Sequence, residues 1–290
     1  MGYGTAPDEP ETGAGSDAPE RYQPVSDRAA AVRLSATAGE HAAPLVEALL
    51  RLADDRLILG HRLSEWCGHA PILEEDIALA NIALDLIGQA NLLLEYAGQV
   101  EGTGRSADAL AYFRDAVEFR NLLLVELPKG DFAVTIVRQF LWSAFAVPQL
   151  AQLKTSTDAT LAGIAAKGHK EATYHLRHAA DWVIKLGDGT AESRARAQKA
   201  FDQLWPYVHE MFATDAIDAP LVRDRILSDV SLLQVPWRES VATIARVATL
   251  KVPGDGWKPQ GGRDGRHTEH LGHLLSEMQI VARSHPGAEW

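Results

Sequence analysis

From residue 41 onward the chain repeats apolar residues at three- and four-residue intervals, the period of a helix face, and nowhere sustains the twofold alternation of a strand. This pattern predicts a first helix over roughly His41 to Trp66, stopped by Gly68 and Pro71. The second begins near Glu74, Glu75 and Asp76, acids suited to the positive end of a helix dipole, and runs to about Gly98. A third is predicted over about Ala107 to Leu127, where Pro128 and Gly130 break it. Asp131 is placed to cap a fourth that reaches about Lys154, with Pro148 as a kink. The fifth runs from about Asp158 to Leu186, and the sixth covers Ala191 to Phe212. Residues 220–250 are helical but broken near Pro236, and a last helix follows Thr268, beyond the Gly/Pro-rich loop from Pro253 to Gly265.

Several long helices joined by short breaks imply an all-α bundle. The second and fifth helices are apolar nearly all round, which places them at its centre as an expectation. Residues 1 to about 40 follow another rule. Seven acids against three arginines (Arg21, Arg28, Arg33) leave that segment at −4, with few large apolar residues to offset the entropy of ordering. It reads as a flexible acidic tail rich in Gly, Ala and Pro, and residues 41–290 as one helical domain.

Composition narrows the function classes. Hydrophobic residues make up 46% and aromatic residues 7% of 290, with Ala and Leu dominant, a usage that favours helix over sheet. The net charge of −11 argues against nucleic-acid binding, which needs a basic face. A single cysteine, Cys67, forbids an internal disulfide and fits a reducing compartment. No basic-then-apolar leader and no uninterrupted apolar run near the roughly 18 residues of a membrane span are visible. A cytoplasmic protein that contacts neither membrane nor nucleic acid is the expectation.

The candidate chemistry lies on the second and fifth helices. A carboxylate-bridged di-iron bundle takes a Glu from each of two helices and a Glu-x-x-His from each of the other two. Here Asp85 is followed three residues later by Gly88, and Glu171 by Tyr174. Both histidines of the motif are missing. Asn81, Asp85 and Gln89 share one face of the second helix, either a solvent-facing stripe or a polar seam turned into the bundle. Glu171, His175 and His178 share a face of the fifth, with Trp182 a turn further on. Those groups suit iron or zinc, but the spacing is not that of a di-iron half-site. The fourth helix offers Arg138 and Gln139 and no carboxylate after its cap; the first offers His61 and Glu65. If Asp85 and Glu171 are buried, Arg62, Arg138 or Lys170 are the cations available to neutralise them. Near the C-terminus His267, His270 and His273 recur every three residues, but with Thr268 as the helix cap only the last two share a face, an unusual arrangement for zinc. Nucleophile elbows, phosphate loops and dinucleotide fingerprints are absent.

Several stretches together carry a resemblance. Leu63 to Pro71 (LSEWCGHAP), Asp76 to Asn81 (DIALAN), Asn121 to Arg138 (NLLLVELPKGDFAVTIVR), Tyr174 to Arg177 (YHLR), Trp182 to Thr190 (WVIKLGDGT), His267 to Glu269 and Glu277 to Gln279 resemble the C-subunit family of bacterial phenylacetyl-CoA epoxidase. The likeness runs from about residue 45 to 285 and leaves out the tail. It implies a ferritin-like helical bundle with extra helices, in a multicomponent oxygenase that epoxidises the ring of phenylacetyl-CoA. It also implies that the catalytic di-iron centre sits in a related A subunit, that a small B subunit bridges, and that a reductase with flavin and iron–sulfur groups brings electrons from NADPH. The present chain would then be a structural partner that binds no cofactor itself. On that reading Glu65, Asp85, Gln139, Glu171, Tyr174 and His175 mark a degenerate metal site. The alternative is a metal-binding ferritin-like oxidase that uses Glu65, Asp85, Glu171, His175 and His178. A third possibility is a stand-alone acyl-CoA-binding module with Arg263 or Arg266 at the phosphates.

Overall fold

A computed structural model describes Met1, Gly2 and residues 41–288. The expected flexible tail, residues 1–40, otherwise lies outside the described residues. Among these the regular structure is all helical: α1 Ala42–Ser64, α2 Leu73–Glu101, α3 Ala107–Tyr112, α4 Leu123–Glu126, α5 Phe132–Leu153, α6 Ala159–Asp188, α7 Ala191–Leu204, α8 Asp218–Arg223, α9 Gln234–Val247 and α10 Glu269–Ser284. Short 3₁₀ segments join several of them.

Four long helices form the bundle, and side-chain pairings fix their directions. Arg56 meets Gln89 while Gly60 lies against Ala83 and Ile87, so α1 and α2 are antiparallel. Phe132 packs on Trp182, which makes α5 and α6 antiparallel. Trp66 packs on Phe132, and Arg56 lies over Trp142, which opposes α1 to α5. Thus α1 and α6 run one way and α2 and α5 the other, and residues 102–131 must return the length of the bundle between two parallel helices. One long crossover of this kind is the ferritin-like connection. The edge-on stack Trp66–Phe132–Trp182, with centroids 5.9 and 5.1 Å apart, ties together one end of three helices.

The structure corrects two expectations. The segment 107–127 is not one helix but α3, a 3₁₀ turn at Ala116–Glu118 and α4, linked by extended backbone. Buried acids of α1 hold that backbone open. Asp54 accepts from the Arg120 N–H at 2.8 Å and pairs with Arg114, and Asp55 accepts from the Leu122 N–H at 2.8 Å. The centre of the bundle is also not α2 and α6. Sixteen of the 23 residues of α1 are buried, among them Arg51, Asp54, Asp55, Arg56 and Arg62. A helix so rich in charge can be buried only where its charges find partners. By contrast α6 buries one stripe (Leu161, Ala165, Gly168, Ala172, His175, Ala179, Val183) and α2 leaves Leu73, Ile77 and Leu84 exposed. Helix α2 includes an 18-residue stretch with a mean hydropathy of 1.6, enough by length and composition to cross a membrane, although Asn81, Asp85, Gln89 and Asn91 interrupt its apolar run as the sequence shows. Its inner face is packed on α1 and α6.

Elsewhere the Asp131 cap falls where the sequence puts it, and Asp158, the expected start of the fifth helix, caps α6. Asp131 accepts from the Val134 N–H and Asp158 from the Leu161 N–H, both at 2.9 Å. Pro206 turns the end of the sixth predicted helix into a 3₁₀ segment, because a proline removes the N–H that an α-turn needs. Pro236 lies in the first turn of α9, where its missing N–H is not needed, so the break comes before it.

Candidate functional site

The polar residues of α2 and α6 meet along one interhelical seam. Successive turns of α2 present Asp85 and Gln89, and successive turns of the antiparallel α6 present His175 and Glu171 opposite them. Gln89 is the node. Its Oε1 accepts from Arg56 Nε at 2.9 Å and its Nε2 donates to Glu171 Oε2 at 2.8 Å. Arg56 also donates to the Leu52 carbonyl at 2.8 Å and lies 5.9 Å from the Trp142 ring centroid. Burial pushes the Arg56 guanidinium down to about 10, offset by neighbouring Asp55, so the group keeps its charge at neutral pH. Gly168 makes room for this node, since a Cβ there would come within 3.0 Å of the Gln89 amide.

One turn along, His175 Nε2 lies 3.0 Å from Asp85 Oδ2. The imidazole is 3% exposed, and burial lowers its proton affinity more than Asp85 and Glu171 restore it. His175 is therefore neutral at pH 7, with its proton on Nε2 facing the carboxylate. A turn beyond, His178 Nε2 meets Glu75 Oε2 at 2.8 Å. An open groove of about 350 Å³ runs past Asp85, Tyr174, His175 and His178, with Tyr174 on its rim at 72% exposure.

Of the six positions singled out from the sequence, this seam gathers Asp85, Glu171, Tyr174 and His175. Glu65 accepts from Arg62 at 2.6 Å. Gln139, fully buried, donates to Ser143 at 3.0 Å, and its Oε1 has no hydrogen-bond partner among the described residues. The polar stripe Asn81–Asp85–Gln89 is graded, with Asn81 in solvent, Asp85 half-buried and Gln89 in the core. The cations expected to neutralise the two acids are engaged elsewhere or distant. Arg62 also holds the Glu126 and His270 carbonyls, Arg138 donates to the carbonyls of Leu127 and Pro128, and Lys170 is exposed. A histidine and an amide serve the acids instead, because both acids are only partly buried and need no full counter-charge. Arg263 is not free for a phosphate either. It is spent on Asp55 and on the carbonyls of Arg51 and Arg120, while Arg266 pairs with Asp264 in solvent.

Among the described residues, no three His, Cys, Asp or Glu side chains stand together as a possible metal shell. The seam's carboxylates accept from His175 and Gln89, and a guanidinium lies behind Gln89. The seam contains paired, oriented polar groups that link α2 to α6. The sequence reading missed Arg56 altogether. Its only signal was a cluster of charge, Arg51, Asp54, Asp55 and Arg56, inside an apolar helix. A second cluster was missed as well: buried Glu126 accepts from Asn121 at 2.8 Å, from His267 at 2.7 Å and from the Thr268 N–H at 2.6 Å. Thr268 sits at the N-cap of α10, but its side chain makes no cap bond.

A family model described as phenylacetic acid catabolic protein matches residues 32–290. The chain is also similar to the C subunit of 1,2-phenylacetyl-CoA epoxidase from Escherichia coli (strain K12), with 47% identity over 241 residues that cover 83% of this chain and 97% of the relative.

Proposed function

The chain belongs to the phenylacetic acid catabolic protein family, and we propose that it serves as the structural, non-catalytic subunit of a phenylacetyl-CoA epoxidase. In that role it pairs with the di-iron A subunit and braces its bundle, so that ligands and substrate channel keep their geometry. A small B subunit bridges, and a reductase with flavin and iron–sulfur groups passes on electrons from NADPH. The chain itself binds no cofactor, nucleic acid or membrane and works in the cytoplasm.

The observation that carries this reading is the Arg56–Gln89–Glu171 relay. In a bundle of this connectivity the core between the four helices is where carboxylates of a di-iron protein converge on two cations. Here a guanidinium that keeps its charge occupies the core beside Gln89, and Gln89 in turn satisfies Glu171. Glu65, Asp85 and Gln139 have separate protein partners. On this reading a positive side chain has taken over the electrostatic work of metal, and Asp85, Glu171, Tyr174 and His175 are remnants of the site.

Co-expression with the A subunit tests it. The expected product is a stable heteromeric complex whose iron resides in the A subunit. About two irons per copy of this chain, purified alone and fully folded, would overturn the proposal in favour of a metal-dependent oxidase with an atypical ligand set.

A further inference from the structure

The outer face of α2 has a pattern that the intramolecular fold uses only at one edge, where Ile87 lies against Gly60. Leu73, Ile77, Ala80, Leu84, Ile87 and Asn91 follow one another at intervals of four, three, four, three and four. That is a heptad rhythm, with a period of 3.5 residues. Leu73 is 71% exposed, Ile77 53% and Leu84 66%, and Asn91 is exposed as well. Ile87, half-buried, borders the stripe on the side of Gly60. The opposite face of the same helix packs on α1 and α6, so the stripe points away from the bundle. It extends over 18 residue steps, about 27 Å at 1.5 Å per residue.

We propose that this stripe is a coiled-coil seam for one α-helix of a different chain, a helix that carries its own apolar heptads flanked by Lys and Arg. The helical partner follows from the rhythm, because knobs at 3.5-residue spacing fit holes on a crossing helix. Ala80 gives the close approach. Asn91, at a seam position, sets the register, as a single polar seam residue does in coiled coils.

Charge decides between occupants. Helix α2 holds six acids and no Lys or Arg; Glu75 and Asp85 face His178 and His175 and Glu101 pairs with Arg105, which leaves Glu74, Asp76 and Glu95 without a cation among the described residues. A second copy would bring acid to acid in either orientation, either residue on its own equivalent or Glu74 toward Glu95. The N-terminal forty residues, at −4 and poor in large apolar groups, meet the same objection. A membrane fits poorly too, since anionic lipid repels such a helix and its other face is committed to protein. A basic-flanked helix meets both the apolar stripe and the acids beside it that lack a cation, Glu74, Asp76 and Glu95. The inference rests on the proposed subunit role only for the partner's being another component of the same oxygenase.

The test uses the full chain and the A subunit of that oxygenase, with binding followed by calorimetry and light scattering. Leu84→Asp and Ile77→Asp are expected to weaken association about 100-fold each, with circular dichroism and thermal midpoint unchanged because both sites are exposed. Glu74→Lys with Glu95→Lys is expected to weaken it and to flatten its salt dependence. Leu232→Asp, at another exposed apolar site, is expected to leave binding intact. If the wild-type chain binds and Leu84→Asp binds equally well, the seam is wrong and the subunit role stands. If the wild-type chain ignores the A subunit, the subunit role falls first and this inference with it. A concentration-dependent homodimer dispersed by Leu84→Asp, or flotation with phosphatidylcholine–phosphatidylglycerol vesicles abolished by it, overturns the choice of partner.

Discussion

His267 places Nδ1 2.7 Å from Glu126 Oε2 while its Nε2 lies 3.0 Å from the carbonyl oxygen of Phe119, so both ring nitrogens face acceptors. Only the imidazolium can donate from both. The clasp joins the segment before α10 to the crossover between α2 and α5, two regions 141 residues apart.

That geometry has a pH signature. Burial pulls the imidazole down, but Glu126, then the Phe119 carbonyl and the Asp54 charge, raise it above the usual histidine value. A histidine raised on folding contributes stability that is fully present below its unfolded value, about 6.5, and is lost as pH rises through the folded value. Urea midpoints should therefore fall across that window, and His267→Gln should remove that part of the slope. Histidines with lowered affinity, His175 among them, act on the acid side and are common to both proteins. A variant that keeps the full alkaline slope would show that the clasp is uncharged.

At Gly168 the expected sign of a substitution is reversed. Glycine to alanine inside a helix ordinarily gains about 1 kcal/mol. Here the new Cβ would sit 3.0 Å from the Gln89 amide, which cannot retreat because Arg56 and Glu171 hold its two ends. Gly168→Ala should cost about 1–2 kcal/mol of unfolding free energy. In a Gln89→Ala background the same change should become neutral or stabilising. Equal effects in both backgrounds would mean that the node is loose.

Much of this molecule was legible in its residues. The Asp131 cap, the start of the fifth helix at Asp158, the Gly68–Pro71 stop and the all-helical bundle follow from local rules that tertiary context did not overrule. The arrangement of helices was less accessible. Hydrophobicity alone put α2 at the centre, yet α1 is there, because Asp54, Asp55, Arg56 and Arg62 find partners far along the chain that no local pattern announces. The same acids keep residues 113–122 from closing into one helix with α3 and α4. Within the candidate site, Asp85, Glu171 and His175 were legible from their four-residue spacing. Arg56 and Gln89 were not joined in the sequence reading, since a bond across 33 residues depends on the register of two helices.

Asp55 offers a stability test of that buried charge. Its carboxylate accepts from Arg263 Nη2 and the Leu122 N–H, each at 2.8 Å, and is 1% exposed. Asp55→Ala strands the Arg263 guanidinium and an amide together, so a loss of about 3–5 kcal/mol is expected from chemical denaturation. The double variant Asp55→Ala, Arg263→Met should recover part of it, because two apolar groups leave no charge unpaired. A single-variant loss under about 1 kcal/mol would mean that solvent reaches the pair.

The seam residues themselves should be silent in catalysis. Asp85 has a side chain 42% exposed and, among the described residues, accepts a single hydrogen bond, from His175 Nε2. In Asp85→Asn the amide oxygen can still accept from that N–H, so folding should change by less than about 1 kcal/mol. Glu171→Gln likewise keeps an oxygen for Gln89 Nε2. If these acids only fasten α2 to α6, turnover per correctly assembled complex should stay within about threefold of wild type, and any deficit should appear as less complex rather than slower complex. A ligand to a working metal, or a proton donor in the reaction, would behave otherwise, since losing its charge removes an interaction made in the transition state. A drop of more than about 100-fold in assembled complex, roughly 2.7 kcal/mol of barrier, would assign one of these carboxylates to the chemistry and end the structural reading of the seam.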